Sequence, residues 1–253
     1  MTAQQHTLAG RRVIVTGGGV GIGLGITRRF ARAGARVAIT THSRPARGVV
    51  EALAADGIEV IGAQLDARDS AEVDRVVDDL TAQLGGLDVL VNNAGGLIAR
   101  HPIAQMSDEH WHQVMTLNVT SVFYASRAAL RHLGDGGRIL TISSLAGKNG
   151  GGNGSAAYAT AKSALDGFTR ALAKEAAPAG ITVNAIAPGL ILDTPFHETF
   201  TPPEAQQHTI DGIPVGRAGY PDDVAAAAEF YARADSGFTT GTSLDLNGGA
   251  FFS

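Results

Sequence analysis

The stretch RVIVTGGGVGIG, residues 12–23, decides the fold of this chain. Its first five residues are mostly β-branched, which predicts a buried strand over residues 12–16. Glycines then end the strand, and an amphipathic pattern over residues 21–33 predicts a helix. A strand, a glycine loop and a helix in this order are typical of the first unit of an open α/β sheet.

The loop itself has four glycines within five positions, at Gly17, Gly18, Gly19 and Gly21. Glycine lets the backbone approach a pyrophosphate closely, so that amides and a helix N-terminus can bind it. The strict Gly-x-Gly-x-x-Gly fingerprint is not met, because the spacing is Gly17-x-x-x-Gly21-x-Gly23. The loop lacks the Gly-Lys-[Ser/Thr] sequence of a P-loop, which argues against a nucleoside-triphosphate site. A merely tight turn is the alternative that the loop alone leaves open.

The rest of the chain continues the alternation of apolar strands and amphipathic helices. Further strands are predicted at residues 36–40, 59–63, 88–92, 138–142, 181–186 and 243–246, and helices at residues 47–56, 70–84, 108–132 and 155–176. Ser107 is the expected N-cap of the third of these helices. Strands without a polar face indicate that helices cover both sides of a parallel sheet. The expected fold class is α/β: a doubly wound Rossmann fold of about seven parallel strands, as a single domain over residues 1–253.

Residues 189–221 are the least regular part of this pattern. They are rich in proline, threonine and histidine, and the segment is too long for an ordinary connection. We expect a substrate loop or lid here, and a poorly ordered surface excursion is the alternative.

Composition argues against several classes of function. The net charge of −4 gives no electrostatic reason to expect nucleic acid or an anionic membrane as a partner. The chain has no cysteine, which excludes thiol catalysis, disulfides and cysteine–metal sites. His110 and His112 point apart on a helix, and no metal site is expected. The polar first ten residues lack the apolar core of a signal peptide, and a cytoplasmic location is expected.

The end of the second predicted strand indicates which dinucleotide the loop would bind. The sequence there is Thr40-Thr41-His42-Ser43-Arg44, without the carboxylate that commonly binds the ribose hydroxyl of NAD(H). Arg44 can accommodate a 2′-phosphate, so that NADP(H) is favoured and NAD(H) is the alternative. An ordinary solvated arginine is the other interpretation of this position.

Tyr158 and Lys162 are four residues apart in a predicted helix, and therefore lie on one face of it. A free tyrosine is protonated at neutral pH, and a nearby ammonium favours its phenolate. We expect Lys162 to bring the pKa of Tyr158 toward neutrality, which suits proton transfer at a carbonyl or alcohol oxygen. A half-buried ring beside a solvated amine is the alternative.

Together these features resemble the short-chain dehydrogenase/reductase family over essentially the whole chain. The resemblance is carried by the 16–23 loop, Asp66, Asn92-Asn93-Ala94-Gly95, Asn118, Ser143-Ser144, Tyr158-x-x-x-Lys162, Pro188-Gly189 and Asn247-Gly248-Gly249. Each motif is common by chance, but in this order and at these separations they are highly specific. Residues 213–219 and the glycine-rich C-terminus are most similar to 3-oxoacyl-(acyl-carrier-protein) reductases within the family.

The resemblance implies four catalytic residues. Tyr158 would be the general acid, and Lys162 would lower its pKa and bind the nicotinamide ribose. Ser144 would bond the substrate oxygen, and Asn118 would bind a water in a proton relay. Ser144 is one residue farther from Tyr158 than in many relatives, so that Ser143 competes for its role.

The resemblance also implies the residues of the dinucleotide site. Asp66 would hold the adenine amino group, and Pro188, Gly189 and Ile191 would place the nicotinamide carboxamide. Asp193 occupies the place of the usual threonine, which is displaced to Thr194. The expected cofactor-binding residues are Gly17, Gly21, Ile22, Gly23, His42, Ser43, Arg44, Asp66, Ala67, Asn93, Ala94, Gly95, Tyr158, Lys162, Pro188, Gly189, Ile191 and Thr194.

The implied activity is the NAD(P)H-dependent interconversion of a ketone and a secondary alcohol, by a 3-oxoacyl-type or small carbonyl reductase. An NAD-dependent sugar, polyol or other alcohol dehydrogenase of the same family is the alternative, and a non-catalytic dinucleotide-binding protein is a further one. The Tyr-x-x-x-Lys spacing argues against an enoyl reductase. The resemblance also implies a homotetramer, in which the helices that begin near residues 108 and 155 pair across one interface.

Overall fold

The computed structural model describes residues 7–253, which form one parallel sheet of seven strands. The strands are β1 (Arg12–Val15), β2 (Arg36–Thr41), β3 (Val60–Gln64), β4 (Val89–Asn92), β5 (Arg138–Ile142), β6 (Thr182–Pro188) and β7 (Ser243–Leu246). Their order across the sheet is β3-β2-β1-β4-β5-β6-β7. The direction of winding reverses between β1 and β4, which confirms the predicted doubly wound Rossmann fold.

Helices cover both faces of the sheet. They are α1 (Gly21–Arg32), α2 (Ala46–Ala55), α3 (Ser70–Leu84), α4 (Asp108–Met115), α5 (Ser121–Leu130), α6 (Ala146–Asn149), α7 (Ala156–Ala176), α8 (Pro195–Phe200), α9 (Pro203–Asp211) and α10 (Pro221–Ala232). Across residues 7–253, none of the helices has both the length and the apolar content needed to cross a bilayer. Most of the N-terminal segment from which the cytoplasmic location was predicted, residues 1–6, lies outside the described residues.

Alternate residues of each strand point to opposite faces of the sheet and into two separate cores. Val13 and Val15 of β1 face one core, together with Phe30 of α1 and the buried apolar residues of α10. Ile14 faces the other core, where Leu80 of α3 packs with residues of α5 and α7. Val13, Ile14, Val15, Phe30 and Leu80 are fully buried. The apolar strands therefore carry helices on both sides, as the sequence indicates.

Two stretches differ from the predicted elements. The helix predicted over residues 108–132 is interrupted by a π-helical turn, Thr116–Thr120, between α4 and α5. The segment predicted as a loop at residues 189–221 contains α8 and α9, and α10 follows it. All three helices have proline in the first turn, where the fixed φ and the missing N–H are tolerated. Proline was counted as a loop residue in this region, although it also signals a helix start.

We expect Gly23→Ala to destabilise the protein by about 2–3 kcal/mol, because its β-carbon overpacks the loop between β1 and α1. That carbon would lie 2.2 Å from the carbonyl oxygen of Gly17 and 2.5 Å from the side-chain nitrogen of Asn93. Gly48→Ala in α2 is the matched control, because nothing lies within 4 Å of its added carbon. That substitution should stabilise the protein by about 0.5–1 kcal/mol. Urea unfolding measures both, and a Gly23→Ala variant as stable as the wild type would contradict this packing.

Candidate active site

The carboxyl ends of the central strands open into a cleft of about 880 Å³. The cleft runs from the ends of β2 and β3, across the point where the strand order reverses, to the end of β6. Open α/β sheets bind their ligands at this crevice. A volume of this size accommodates a small-molecule ligand and its partner substrate.

Most residues predicted for the site lie in the wall of this cleft. They are Gly17, Gly21, Ile22, His42, Ser43, Arg44, Asp66, Ala67, Asn93, Ala94, Gly95, Ser143, Ser144, Tyr158, Lys162, Pro188, Gly189, Ile191 and Thr194. Gly23 lies behind this wall, against the carbonyl of Gly17, and Asn118 is completely buried.

The glycine loop is held in place by polar contacts from the end of β4. The side-chain amide of Asn93 donates to the carbonyl oxygens of Thr16 and Gly17, both at 3.0 Å. The Thr16 hydroxyl accepts from the backbone N–H groups of Asn93 and Ala94. The first turn of α1 has no side-chain cap and no acidic residue, so its N-terminus is suited to an anion. Loop and helix therefore fit a pyrophosphate group.

At the end of β2, Arg44 is exposed and pairs with no carboxylate of residues 7–253. Asp66, the acid predicted to bind the adenine, is held by Arg68, whose guanidinium lies 2.7 Å from the carboxylate. This hydrogen bonding lowers the pKa of Asp66 to about 2. The positive charge of Arg68 is thereby neutralised, and that of Arg44 remains available to a ligand.

Tyr158 lies in the first turns of α7 with its ring buried. Burial raises the pKa of Tyr158 to about 12, and a hydrogen bond with Ser144 opposes this rise. The expected shift toward neutrality is therefore wrong for the free protein, because burial outweighs the hydrogen bond with Ser144. At neutral pH the phenol is protonated, which is the state of a general acid.

Lys162 lies one turn after Tyr158 and is buried as well. Its Nζ is 5.6 Å from the centroid of the Tyr158 ring and donates to the carbonyl oxygen of Ile142 at 2.9 Å. Burial lowers the pKa of Lys162 to about 8. The ammonium is thus fixed next to the phenol with two of its three donors unused.

The two serines after β5 have different partners. Ser143 is buried, and its hydroxyl donates to the carbonyl oxygen of Lys162 at 3.0 Å. Ser144 bonds with Tyr158, and its Oγ accepts from the backbone N–H of Ala146 at 3.1 Å. Ser144 is therefore the serine that stands beside the phenol, and Ser143 supports the backbone of α7.

Known proteins are similar to this chain in both sequence and fold. The sequence model of a family described as enoyl-(acyl carrier protein) reductase matches residues 18–250. The 3-oxoacyl-[acyl-carrier-protein] reductase FabG of Pseudomonas aeruginosa is 38% identical over 251 residues, covering 98% of this chain and 100% of that protein. A crystal structure of a short chain dehydrogenase from Burkholderia cenocepacia in complex with NADP has a TM-score of 0.88 at 37% identity, covering 96% and 99% of the two chains. The chain belongs to the short-chain dehydrogenase/reductase family.

As a short-chain dehydrogenase/reductase, the protein is an NAD(P)-dependent oxidoreductase. Another relative, the acetoacetyl-CoA reductase of Allochromatium vinosum, is 37% identical over 250 residues, covering 95% of this chain and 98% of that protein. These similarities extend over nearly the whole length of each protein. The likeness therefore includes the cleft and the segment at residues 189–221.

In this short-chain dehydrogenase/reductase, Asn118 positions the loop after β4. Its Oδ1 accepts from the backbone N–H of Gly96 at 3.0 Å, and its Nδ2 donates to the carbonyl oxygens of Gly96 and Val114. The π-helical turn places this side chain at the loop. Because these bonds occupy both ends of the amide, the structure gives it a positioning role, and its predicted water-binding role stays a prediction.

Thr194, predicted to bind a carboxamide, is the N-cap of α8. Its hydroxyl donates to the carbonyl oxygen of Ile191 at 2.9 Å and accepts from the backbone N–H of His197. The preceding Asp193 has a positive φ of 56°, which turns the chain into the helix. Thr194 lines the cleft, but its hydroxyl is engaged in the cap.

Sequence reasoning missed Arg100, Phe196 and His197, which also line the cleft. The Phe196 ring lies 5.6 Å from that of Tyr158, centroid to centroid. Thr194-Pro195 is a helix-start signal that could have placed Phe196 and His197 on a short helix over the site. Arg100 has no such signal, because only the fold brings the segment after β4 to this wall.

His110, one of the two histidines weighed above as metal ligands, lies beside the ring of His101. The rings of His101 and His110 are in edge contact, with 4.5 Å between centroids. Over the described part of the chain, no group of three or more potential ligands could hold a metal ion.

Proposed function

We propose that this protein reduces a ketone to a secondary alcohol with NADPH, and that Tyr158 protonates the carbonyl oxygen. The observation that carries the proposal is the meeting, in one cleft, of a protonated buried phenol, the Ser144 hydroxyl and a glycine loop suited to pyrophosphate. The relatives named as 3-oxoacyl and acetoacetyl-CoA reductases support a 3-oxoacyl-type or small carbonyl substrate.

Bound NADPH would supply the hydride, and the protein would supply position and proton. We propose that the hydroxyls of Ser144 and Tyr158 hold the carbonyl oxygen as negative charge develops on it. The Lys162 ammonium, fixed beside the ring, stabilises the phenolate that remains once Tyr158 has given its proton. The unused donors of Lys162 would bind the nicotinamide ribose.

The adenosine half of NADPH would occupy the end of the cleft at β2 and β3. We propose that Gly17, Gly21 and Ile22 hold the pyrophosphate and that Arg44 binds the 2′-phosphate. Asp66, Ala67 and the Asn93-Ala94-Gly95 turn would line the adenosine. At the other end, Pro188, Gly189 and Ile191 would face the carboxamide, and residues 189–221 would shape the substrate pocket.

A panel of ketones tests the proposed activity directly. Acetoacetyl-CoA, other 3-oxoacyl thioesters and small aryl ketones are each mixed with NADPH or NADH, and cofactor oxidation is followed by absorbance. We expect turnover with at least one ketone and a higher kcat/KM with NADPH. Cofactor binding without turnover of any ketone or alcohol would instead support a dinucleotide-binding protein.

Replacing Arg44 by Ala should raise the KM for NADPH on the order of 10-fold and leave the KM for NADH nearly unchanged, because a charge-assisted bond to the phosphate is lost. Arg47→Ala is the matched control, since Arg47 lies three residues on, is exposed and pairs with Glu51. The KM for NADPH and the KM for NADH should both be unchanged in that variant. Unchanged NADPH kinetics in Arg44→Ala would refute the cofactor assignment.

We also propose that the protein is a cytoplasmic homotetramer. The family resemblance supports both, and large apolar side chains stand exposed on this single chain. They include Phe123, Phe230, Phe238, Leu244 and Phe252. Sedimentation at micromolar concentration should give the mass of four chains, and a monomer under all conditions would refute the assembly.

A further inference from the structure

Arg100 joins two walls of the cleft. Its guanidinium donates to the carbonyl oxygen of Asn153 at 3.0 Å, in the loop before α7. A second, longer bond of 3.5 Å reaches the carbonyl oxygen of Phe200 at the end of α8. Within residues 7–253, its charge is met by these carbonyls and by no carboxylate. The side chain is exposed and faces the cleft.

The charge of Arg100 is not balanced elsewhere in the wall. Among the described residues that line the cleft, Asp66 is the only acid, and it lies at the adenosine end in contact with Arg68. Near Arg100 stands His197, whose pKa is lowered to about 4 by burial and by the charge of Arg100. His197 is therefore neutral at physiological pH, and the substrate end of the cleft is positive.

A series of aromatic contacts connects Arg100 to Tyr158. The Tyr158 ring contacts the Phe196 ring, and the Phe196 ring contacts that of Phe200, with 5.6 Å and 5.4 Å between centroids. The carbonyl of Phe200 then holds Arg100. Of these rings, Tyr158 and Phe196 line the cleft, as Arg100 does, so a substrate whose carbonyl lies at Tyr158 has an apolar side chain and a guanidinium in the same wall.

We propose that Arg100 selects ketones that carry an anionic group at the far end of an apolar body. Guanidinium binds carboxylate and phosphate through the same planar pair of donors, so either anion fits this position. The inference rests on the proposed ketone reduction and narrows its substrate class. Arg100 acts here as a specificity residue, away from the reacting atoms.

Three matched ketones test this assignment. The first is a biphenyl methyl ketone with a carboxylate on the far ring, the second has a phosphate there, and the third is the neutral methyl ester. Arg100→Gln keeps a donor for Asn153 but removes the charge, and Arg100→Lys keeps the charge. Arg75→Gln is the control, because Arg75 is an exposed residue of α3 that pairs with Asp79 outside the cleft.

In the wild type, we expect kcat/KM to be higher for at least one anionic ketone than for the ester. Arg100→Gln should reduce that preference on the order of 10-fold, mainly through KM, since hydrogen bonds to charged groups contribute this much. Arg100→Lys should retain part of it, and Arg75→Gln all of it. Which anion is preferred distinguishes a carboxylate from a phosphate substrate.

Binding measured without turnover separates this inference from the proposed function. Calorimetry gives dissociation constants of the three ketones for Tyr158→Phe, with and without Arg100→Gln. Tighter binding of an anionic ketone that depends on Arg100 supports the inference even where no ketone is reduced. The inference is overturned if the three ketones bind with equal affinity. It is also overturned if Arg100→Gln weakens the binding of all three by the same factor.

Discussion

Replacing Lys162 by Met should make the protein more stable and nearly inactive. Burial lowers the pKa of Lys162 from 10.5 to about 8, which corresponds to a cost of about 3 kcal/mol for keeping the charged form folded at neutral pH. Met removes that cost but also the bond to Ile142, which contributes about 1 kcal/mol. We expect a net stabilisation of about 1–2 kcal/mol, with kcat lower on the order of 100-fold or more.

The pH dependence of this difference has a definite sign. The pKa of Lys162 is lower in the folded state, so the unfolded chain binds the extra proton between pH 8 and 10.5. The stability of the wild type relative to Lys162→Met therefore rises with pH across that window. Above it, lysine is neutral in both states and the advantage of Met disappears.

Urea unfolding of both proteins at several pH values measures this difference. Lys148→Met is a control in which stability should change in the opposite direction. Lys148 lies outside the cleft, and its Nζ is 2.5 Å from the Asp245 carboxylate. Removing Lys148 leaves that carboxylate without its ion-pair partner and should destabilise the protein. A Lys162→Met variant that is less stable than the wild type at neutral pH would contradict the burial argument.

Replacing Tyr158 by Phe should reduce kcat by a factor of about 100 to 10,000, because the general acid is lost while the ring remains. Phe keeps the contact with Phe196, and the glycine loop, Arg44 and Lys162 remain in place, so NADPH affinity should change far less than kcat. Stability should change by only about 1 kcal/mol, the contribution of the bond to Ser144.

Tyr231→Phe is the matched control for this loss. Tyr231 is also buried, and its hydroxyl bonds with that of Thr242 at 3.1 Å, away from the cleft. The Tyr231→Phe variant should therefore lose a similar amount of stability and keep the activity of the wild type. Steady-state kinetics and urea unfolding compare the two variants, and equal activities would remove Tyr158 from the reaction.

Much of the fold could be predicted because its signals are local. The predicted bounds of α3, β5 and β7 agree with the structure, since an apolar run or a clear period defines each of them. Ser107 is confirmed as the N-cap of α4, where its hydroxyl accepts from the backbone N–H of His110. The short helices α8 and α9 begin at prolines and have only a weak hydrophobic periodicity, and they were not predicted.

The site was predicted less completely, because its chemistry depends on burial and on contacts between distant segments. The spacing of Tyr158 and Lys162 predicted that the two residues share one face of a helix, and both line the cleft, but it gave the wrong direction for the pKa of Tyr158. Burial cannot be read from the spacing of two residues. Arg100 reaches Phe200 across one hundred positions of sequence, and only the folded chain shows that contact.

Single-turnover kinetics tests most directly whether Tyr158 delivers the proton. Wild type and Tyr158→Phe, each loaded with NADPH, are mixed with ketone in a stopped-flow instrument, which separates chemistry from product release. We predict that the rate of NADPH oxidation falls on the order of 1,000-fold in the variant, although NADPH still binds. Oxidation of bound NADPH at the wild-type rate would contradict the account.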